Sequence, residues 1–166
     1  MAIEHKYGDI LQSGATIICH QVNCQNVMGS GLAKQIKIQF PVVFNEYQKF
    51  CKLYQLPRNC LGKVQLVKIN DKQFIANCFG QLNYGYGVKQ TDYKALKKCF
   101  SDLIKYVNGR DVVYLEKSIL FNPKTTTIAI PYKIGCGLAG GDWDIVKSII
   151  EEVFKNFEGN VEIWQF

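Results

Sequence analysis

The apolar segment TTIAIPY, residues 126–132, runs directly into KIGCGLAGG and then into the amphipathic stretch DWDIVKSIIEEVF. Four of the seven positions from Gly135 to Gly141 are glycine. This order, buried-type strand, bare backbone, helix, constrains the fold more than any other feature of the chain. Glycine accepts left-handed backbone and lets a ligand approach where a Cβ would stand. The same order occurs earlier. ATIICHQV, residues 15–22, is a short apolar run of buried-strand type. It leads through NVMGSG into GLAKQIKIQF, which reads as a helix ending before Pro41. Each unit offers unpaired N–H groups and the positive end of a helix dipole to an anion. Two such loops in one domain point to a shared anionic ligand, and a pyrophosphate fits; two tight turns without a ligand are the alternative.

The remaining elements alternate. IEHKY reads as a first strand, followed by a turn at Gly8-Asp9, and VVFNEYQKFCKLY as a second helix. GKVQLVKI and KQFIANCFG read as two strands turning at Asn70-Asp71. From Asp92 to Val107 the residues Tyr93, Leu96, Phe100, Leu103, Ile104 and Val107 follow helical spacing. A further helix is expected over Asp144 to Phe157, and NVEIWQF closes the chain as a strand. No repeat or low-complexity linker interrupts this pattern. A chain of 166 residues suits one domain over 1–166, an α/β sandwich with a mixed sheet.

The spacing Gly135-x-Gly137-x-x-Gly140 matches the dinucleotide fingerprint, and Glu162 lies near the ~20-residue distance of its acidic partner. A doubly wound dinucleotide fold needs further strands beyond that acid, and the sequence ends at Phe166. No G-x-x-x-x-G-K-[ST] motif is present. The loop is therefore read as a phosphate cradle in a different α/β fold.

The net charge is +6, and residues 1–83 carry nine Lys/Arg against four Asp/Glu. That surplus suits a small anionic ligand and is too scattered for a nucleic-acid tract. The seven cysteines form no C-x-x-C pair, and His5 and His20 are the two histidines. Metal-ligand spacing is absent, so no metal site is expected and the thiols read as reduced, mostly buried groups. No apolar run approaches the ~20 residues of a membrane span. MAIEHKYGDI lacks the pattern of a signal peptide, which makes the cytoplasm the expected location.

Three motifs in order resemble the macrodomain family: GDI (residues 8–10); ICHQVNCQNVMGSGLAKQIKIQFP, with Asn23 six residues before the glycine loop; and IPYKIGCGLAGGDWDIVKSIIEEVF with a short final strand. The match covers most of the chain and leaves EKSILFNPKT unmatched. The resemblance implies a three-layer α/β/α sandwich with a mixed central sheet, ADP-ribose as ligand, no cofactor and a monomer. By position, Asp9 would accept the adenine amino group with Ile10 beside it, and Trp164 or Phe166 would stack on the ring. For Trp164, simple core packing is the alternative. Gly29, Ser30 and Gly31, followed by Leu32, would wrap the distal ribose and phosphates, and Asn23 would meet the distal ribose. Gly135, Cys136, Gly137, Leu138 and Ala139 would cradle the pyrophosphate.

Within the family the chain looks most like the ADP-ribose-1″-phosphate phosphatases and their relatives that remove ADP-ribose. Gln81 stands where members that cleave ADP-ribose from glutamate or DNA carry a lysine. Ala139 stands where the glutamate-cleaving members carry an acid. A Schiff-base route through lysine is therefore not expected. His20 matches the histidine of the phosphatase branch, and its ordinary pKa near ~6.5 suits proton transfer or nucleophilic attack. A core-edge histidine bonded to backbone is the alternative. Asp142 is read either as its partner or as the N-cap of the following helix. Cys24 and Cys136 could act as nucleophiles only with a lowered pKa, for which the sequence gives no sign. The expected activity is hydrolysis of the terminal phosphate of ADP-ribose-1″-phosphate. The alternatives are a non-catalytic ADP-ribose reader, and a hydrolase that removes ADP-ribose from protein or nucleic acid with Asn23 positioning the distal ribose.

Overall fold

The structure, a computed structural model, describes residues 3–85, 87–109 and 119–166. Its elements follow the expected alternation. Strand β1 is Ile3–Tyr7 and β2 is Ile17–Val22. Helices α1 (Gly31–Gln39) and α2 (Pro41–Leu53) come next. They part at Phe40 because proline is tolerated in a first helical turn but not inside a helix. Strands β3 (Val64–Asn70) and β4 (Gln73–Phe79) pair antiparallel. Helix α3 (Tyr93–Val107), β5 (Thr127–Pro131), α4 (Trp143–Val153) and β6 (Asn160–Gln165) complete the domain.

The sheet order is β1-β6-β5-β2-β4-β3, with every neighbouring pair parallel except β3–β4. Helices α3 and α4 cover one face, where Leu96, Phe100, Leu103, Ile150 and Phe154 pack on Ile17, Cys19, Ile128 and Ile130. Helices α1 and α2 cover the other, where Ile36, Val43, Tyr47 and Phe50 pack on Ile18, Val22, Ile75 and Phe79. The result is the three-layer α/β/α sandwich with a mixed central sheet.

Two boundaries differ from expectation. Helix α4 ends at Val153 instead of Phe157, with Phe154 as its C-cap. The chain must turn early because Gly159 passes so close to the Thr126 and Pro123 carbonyls that a Cβ would stand 2.3 and 2.4 Å from their oxygens. The hairpin turn falls at Asp71-Lys72, since Asn70 still pairs with Gln73 and its Oδ1 accepts the Lys72 N–H at 2.9 Å. Of the unmatched stretch EKSILFNPKT, residues 116–118 lie outside the described residues. Pro123–Thr125 within it form a short 3-10 turn. Among the described residues no helix is long and apolar enough to cross a membrane.

The two-residue period of β2 sends Ile17 and Cys19 to the α3/α4 core, and Ile18 and Val22 to the α1/α2 core. His20 therefore points to the α1/α2 side and Gln21 to the opposite one. Because β2 and β5 pair in parallel, the loops after both strands meet at one edge of the sheet. Ligands of open α/β sheets bind at such carboxyl ends.

Candidate functional site

A cavity of about 490 Å³ opens at that edge. Met28–Ala33 and Lys133–Ala139, apart from Cys136, form two of its walls, and the end of β2, Gln81, Tyr84, Pro131 and Tyr132 line much of the rest. The first wall is a helix start. Ser30 is extended at φ −152° and its hydroxyl caps nothing. The first intrahelical bond runs from Lys34 N–H to Ser30 O at 3.2 Å. The N–H groups of Gly31, Leu32 and Ala33 are thus unspent at the positive end of α1.

The second wall is a chain of tight turns. Cys136 N–H bonds Lys133 O, Gly140 N–H bonds Gly137 O, and Gly141 N–H bonds Gly135 O. Among the described residues, the N–H groups of Gly135, Gly137, Leu138 and Ala139 find no backbone acceptor. Gly135 is required: its φ is +71°, and a Cβ there would stand 2.8 Å from Gln21 Oε1 and 3.0 Å from Thr91 Oγ1. Gln21 donates to Thr91 and to Gln81 at 2.9 and 2.8 Å, and Thr91 donates to the Gly135 carbonyl. This network ties the loop to β2. The two glycine walls meet on one cavity, as the paired strand–loop–helix units imply.

Cys136 departs from its expected place. Its N–H is spent on Lys133, its thiol donates to Ile134 O at 3.3 Å, and its side chain packs on the α3/α4 core, outside the cavity lining. Burial pushes its pKa up to about 11 and that of Cys24 up to about 12, so both are thiols at neutral pH.

His20 is 2 % exposed and lines the cavity from the end of β2. Its Nε2 lies 2.5 Å from Asn77 Oδ1, and its Nδ1 has no partner. Burial lowers its pKa to about 4 against the opposing effect of the Asn77 hydrogen bond, so the ring is neutral at pH 7. Asp142 is not its partner. The carboxylate caps α4 by accepting Asp144 N–H at 2.9 Å, and the residue does not line the cavity. The N-cap reading of Asp142 is the one the structure supports.

Asn23 holds its own loop. Its Nδ2 donates to Val27 O at 2.8 Å and its Oδ1 accepts Gln25 N–H at 2.9 Å. The buried Tyr47 hydroxyl sits 2.8 Å from both Asn23 oxygens and accepts Val27 N–H at 3.2 Å. One N–H of the Asn23 amide remains for a ligand. Tyr47→Phe is expected to cost about 1–3 kcal/mol by leaving these buried groups unpaired. Urea denaturation measures that loss, and loosening of residues 23–28 should accompany it as weaker ligand binding.

The residues expected around adenine form a separate group that does not line the cavity. Asp9 caps the 3-10 turn Ile10–Gln12 by accepting Leu11 N–H at 2.9 Å. Ile10 is buried in the α1/α2 core. Trp164 is partly buried against the same core, donates to Glu162 at 3.0 Å, and lies beside Gly8. Phe166 is fully exposed. Gln21, Asn77, Tyr84, Thr91, Tyr132 and Lys133 are among the site residues that the sequence does not single out. Lys133 offered one signal, a cation inside a glycine loop; its φ of +60° marks a strained position at the cavity wall. Among the described residues no group of three His, Cys, Asp or Glu side chains could hold a metal ion.

The family model described as Macro domain matches residues 19–150. The chain is 29% identical to the ADP-ribose 1″-phosphate phosphatase of Candida glabrata, over 94% of this chain and 93% of that protein. It is 24% identical to the DNA ADP-ribosyl glycohydrolase of Mycobacterium tuberculosis over 92% of its own length, but spans 39% of that relative. The structure of Thermosipho africanus DarTG in complex with ADP-ribose superposes with a TM-score of 0.74 at 23% identity, covering 98% of this chain and 42% of that one.

Proposed function

Since the chain belongs to the Macro domain family, we propose that its cavity binds ADP-ribose and that it hydrolyses the terminal phosphate of ADP-ribose-1″-phosphate. The observation that carries this reading is the pair of unspent N–H sets, from the start of α1 and from residues 135–139, on one cavity with His20. The pyrophosphate lies between the two sets, where fixed dipoles compensate its charge without reorganisation. Lys133, its Nζ 5.5 Å from the Tyr132 ring centroid, adds a cation at the same wall. Gly29 and Ser30 flank the distal ribose, with the remaining Asn23 N–H beside it. Asp9 keeps Oδ2 for the adenine amino group, and Trp164 offers its ring face.

Among the described residues the cavity lining contains no carboxylate, and its titratable side chains are His20, Tyr84, Tyr132 and Lys133. A neutral His20 can attack phosphorus, or it can accept the proton of the attacking water and, as the imidazolium so formed, pass that proton to the departing ribose oxygen. Incubation with ADP-ribose-1″-phosphate should release phosphate, and a His20→Ala variant should lose that rate. Unchanged substrate at high protein concentration would contradict the activity.

One observation favours a second reading, a reader without turnover: His20 Nδ1 is buried and has no hydrogen-bond partner to ready it for proton transfer. Intact substrate together with tight ADP-ribose binding is its signature. Removal of ADP-ribose from protein or nucleic acid is tested in parallel by release of free ADP-ribose from modified substrates; Gln81 and Ala139 stand at the positions where the resemblance places that route's lysine and acid.

Lys133→Gly separates charge from backbone. Glycine relieves the left-handed strain, so stability should stay unchanged or rise within about 1 kcal/mol. ADP-ribose affinity should fall and become less salt-dependent. A thermal melt beside titrations at two ionic strengths checks both signs.

A further inference from the structure

The side chains of His20, Asn77 and Gln65 form one hydrogen-bonded row across three strands. Asn77 is the register partner of His20 on β2 and of Gln65 on β3. All three are buried, Asn77 completely. The row is anchored at one end, where Gln65 Nε2 donates to the Glu46 backbone carbonyl of α2 at 2.9 Å.

That anchor fixes the direction of every bond in the row. A carbonyl oxygen only accepts, so Gln65 must turn Nε2 toward α2 and Oε1 toward Asn77. Gln65 Oε1 accepts Asn77 Nδ2–H at 3.0 Å. Asn77 is thereby oriented with Oδ1 toward His20, 2.5 Å from Nε2. An amide oxygen cannot donate, so His20 Nε2 must carry the hydrogen. A neutral imidazole has one N–H, which leaves Nδ1 as a bare lone pair. Nδ1 is the ring's unpartnered polar atom.

We infer that Asn77 is the positioning residue of this site: it fixes His20 as the Nε2–H tautomer and keeps the buried Nδ1 an acceptor, so that the ligand group His20 meets is an O–H, such as a ribose hydroxyl, and not a phosphate oxygen. The second half rests on the proposed ADP-ribose site. Two lone pairs repel, so phosphate oxygens are left to the N–H groups of the two glycine loops. The low basicity of the buried ring keeps this division of labour intact at neutral pH.

Long-range proton–nitrogen correlation on the ¹⁵N-labelled full chain reads the tautomer directly, with the exposed His5 as an internal reference. The expected spectrum shows protonated Nε2 and bare Nδ1 at His20; an Nδ1–H ring overturns the proposal. Gln65→Met removes the anchor two strands away and should let both tautomers populate, whereas Asn77→Asp retains the acceptor and should keep Nε2–H. An unaltered tautomer in folded Gln65→Met overturns the proposal. If that variant does not fold, the wild-type and Asn77→Asp spectra decide it. Addition of ADP-ribose should shift the Nδ1 resonance. A static Nδ1 under saturating ligand overturns the ligand contact, while absence of any binding by calorimetry overturns the ADP-ribose reading and leaves the tautomer result standing.

Discussion

Alanine at Gly137 is expected to leave the melting temperature within a few degrees of wild type and to weaken ADP-ribose binding at least ~10-fold, about 1.4 kcal/mol. The Cβ it adds meets no protein atom within 4 Å, and Gly137 has no left-handed φ. The open side is the cavity itself, because Gly137 lines it. The methyl group therefore takes ligand space while the fold is spared. Alanine at Gly135 should behave differently. Its φ of +71° is strained for any side chain, and its Cβ would press on Gln21 and Thr91. A loss of about 1–3 kcal/mol of stability should accompany the loss of binding. Thermal melts and ligand titrations on both variants give the comparison. Wild-type affinity in Gly137→Ala would remove the second glycine loop from the site.

Acid should destabilise the fold through His20. The folded pKa is about 4 against an ordinary value of 6.5. Between those values the unfolded chain binds a proton that the folded chain refuses, so stability rises with pH across this window. The contribution is complete above about pH 6.5, is lost as pH falls toward 4, and amounts to about 3 kcal/mol. His20→Leu should flatten this part of the profile, although it lowers stability at pH 7 by leaving Asn77 Oδ1 unpaired. Urea midpoints at pH 7 and 4.5 for both proteins measure the effect. Equal slopes would show that His20 is not the buried neutral ring described above.

Most of the architecture was legible in the sequence, because strands such as IICHQV and TIAIP are short apolar runs that lead into glycine loops, and helices α3 and α4 carry a clear apolar stripe. The two phosphate-type loops were legible for the same reason: glycines in that density have few other uses. What escaped was the wiring between strands. Nothing in KQFIANCFG indicates that Asn77 stands opposite His20, since parallel pairing of β2 with β4 is a long-range property of the sheet. Asp142 shows the converse. Its type and spacing suit a catalytic partner and an N-cap equally, and only the direction of its carboxylate, toward Asp144 N–H, separates them. Cys136 shows that a position inside a glycine loop need not be a cradle position: the turn closed by its own N–H sends its side chain to the α3/α4 core.

The central claim, that the two glycine walls hold the pyrophosphate of ADP-ribose, is tested most directly by calorimetric titration of the wild-type chain with ADP-ribose. Saturable one-site binding, lost in competition with excess ADP-ribose-1″-phosphate, is the predicted result. No saturable heat with either ligand would contradict it.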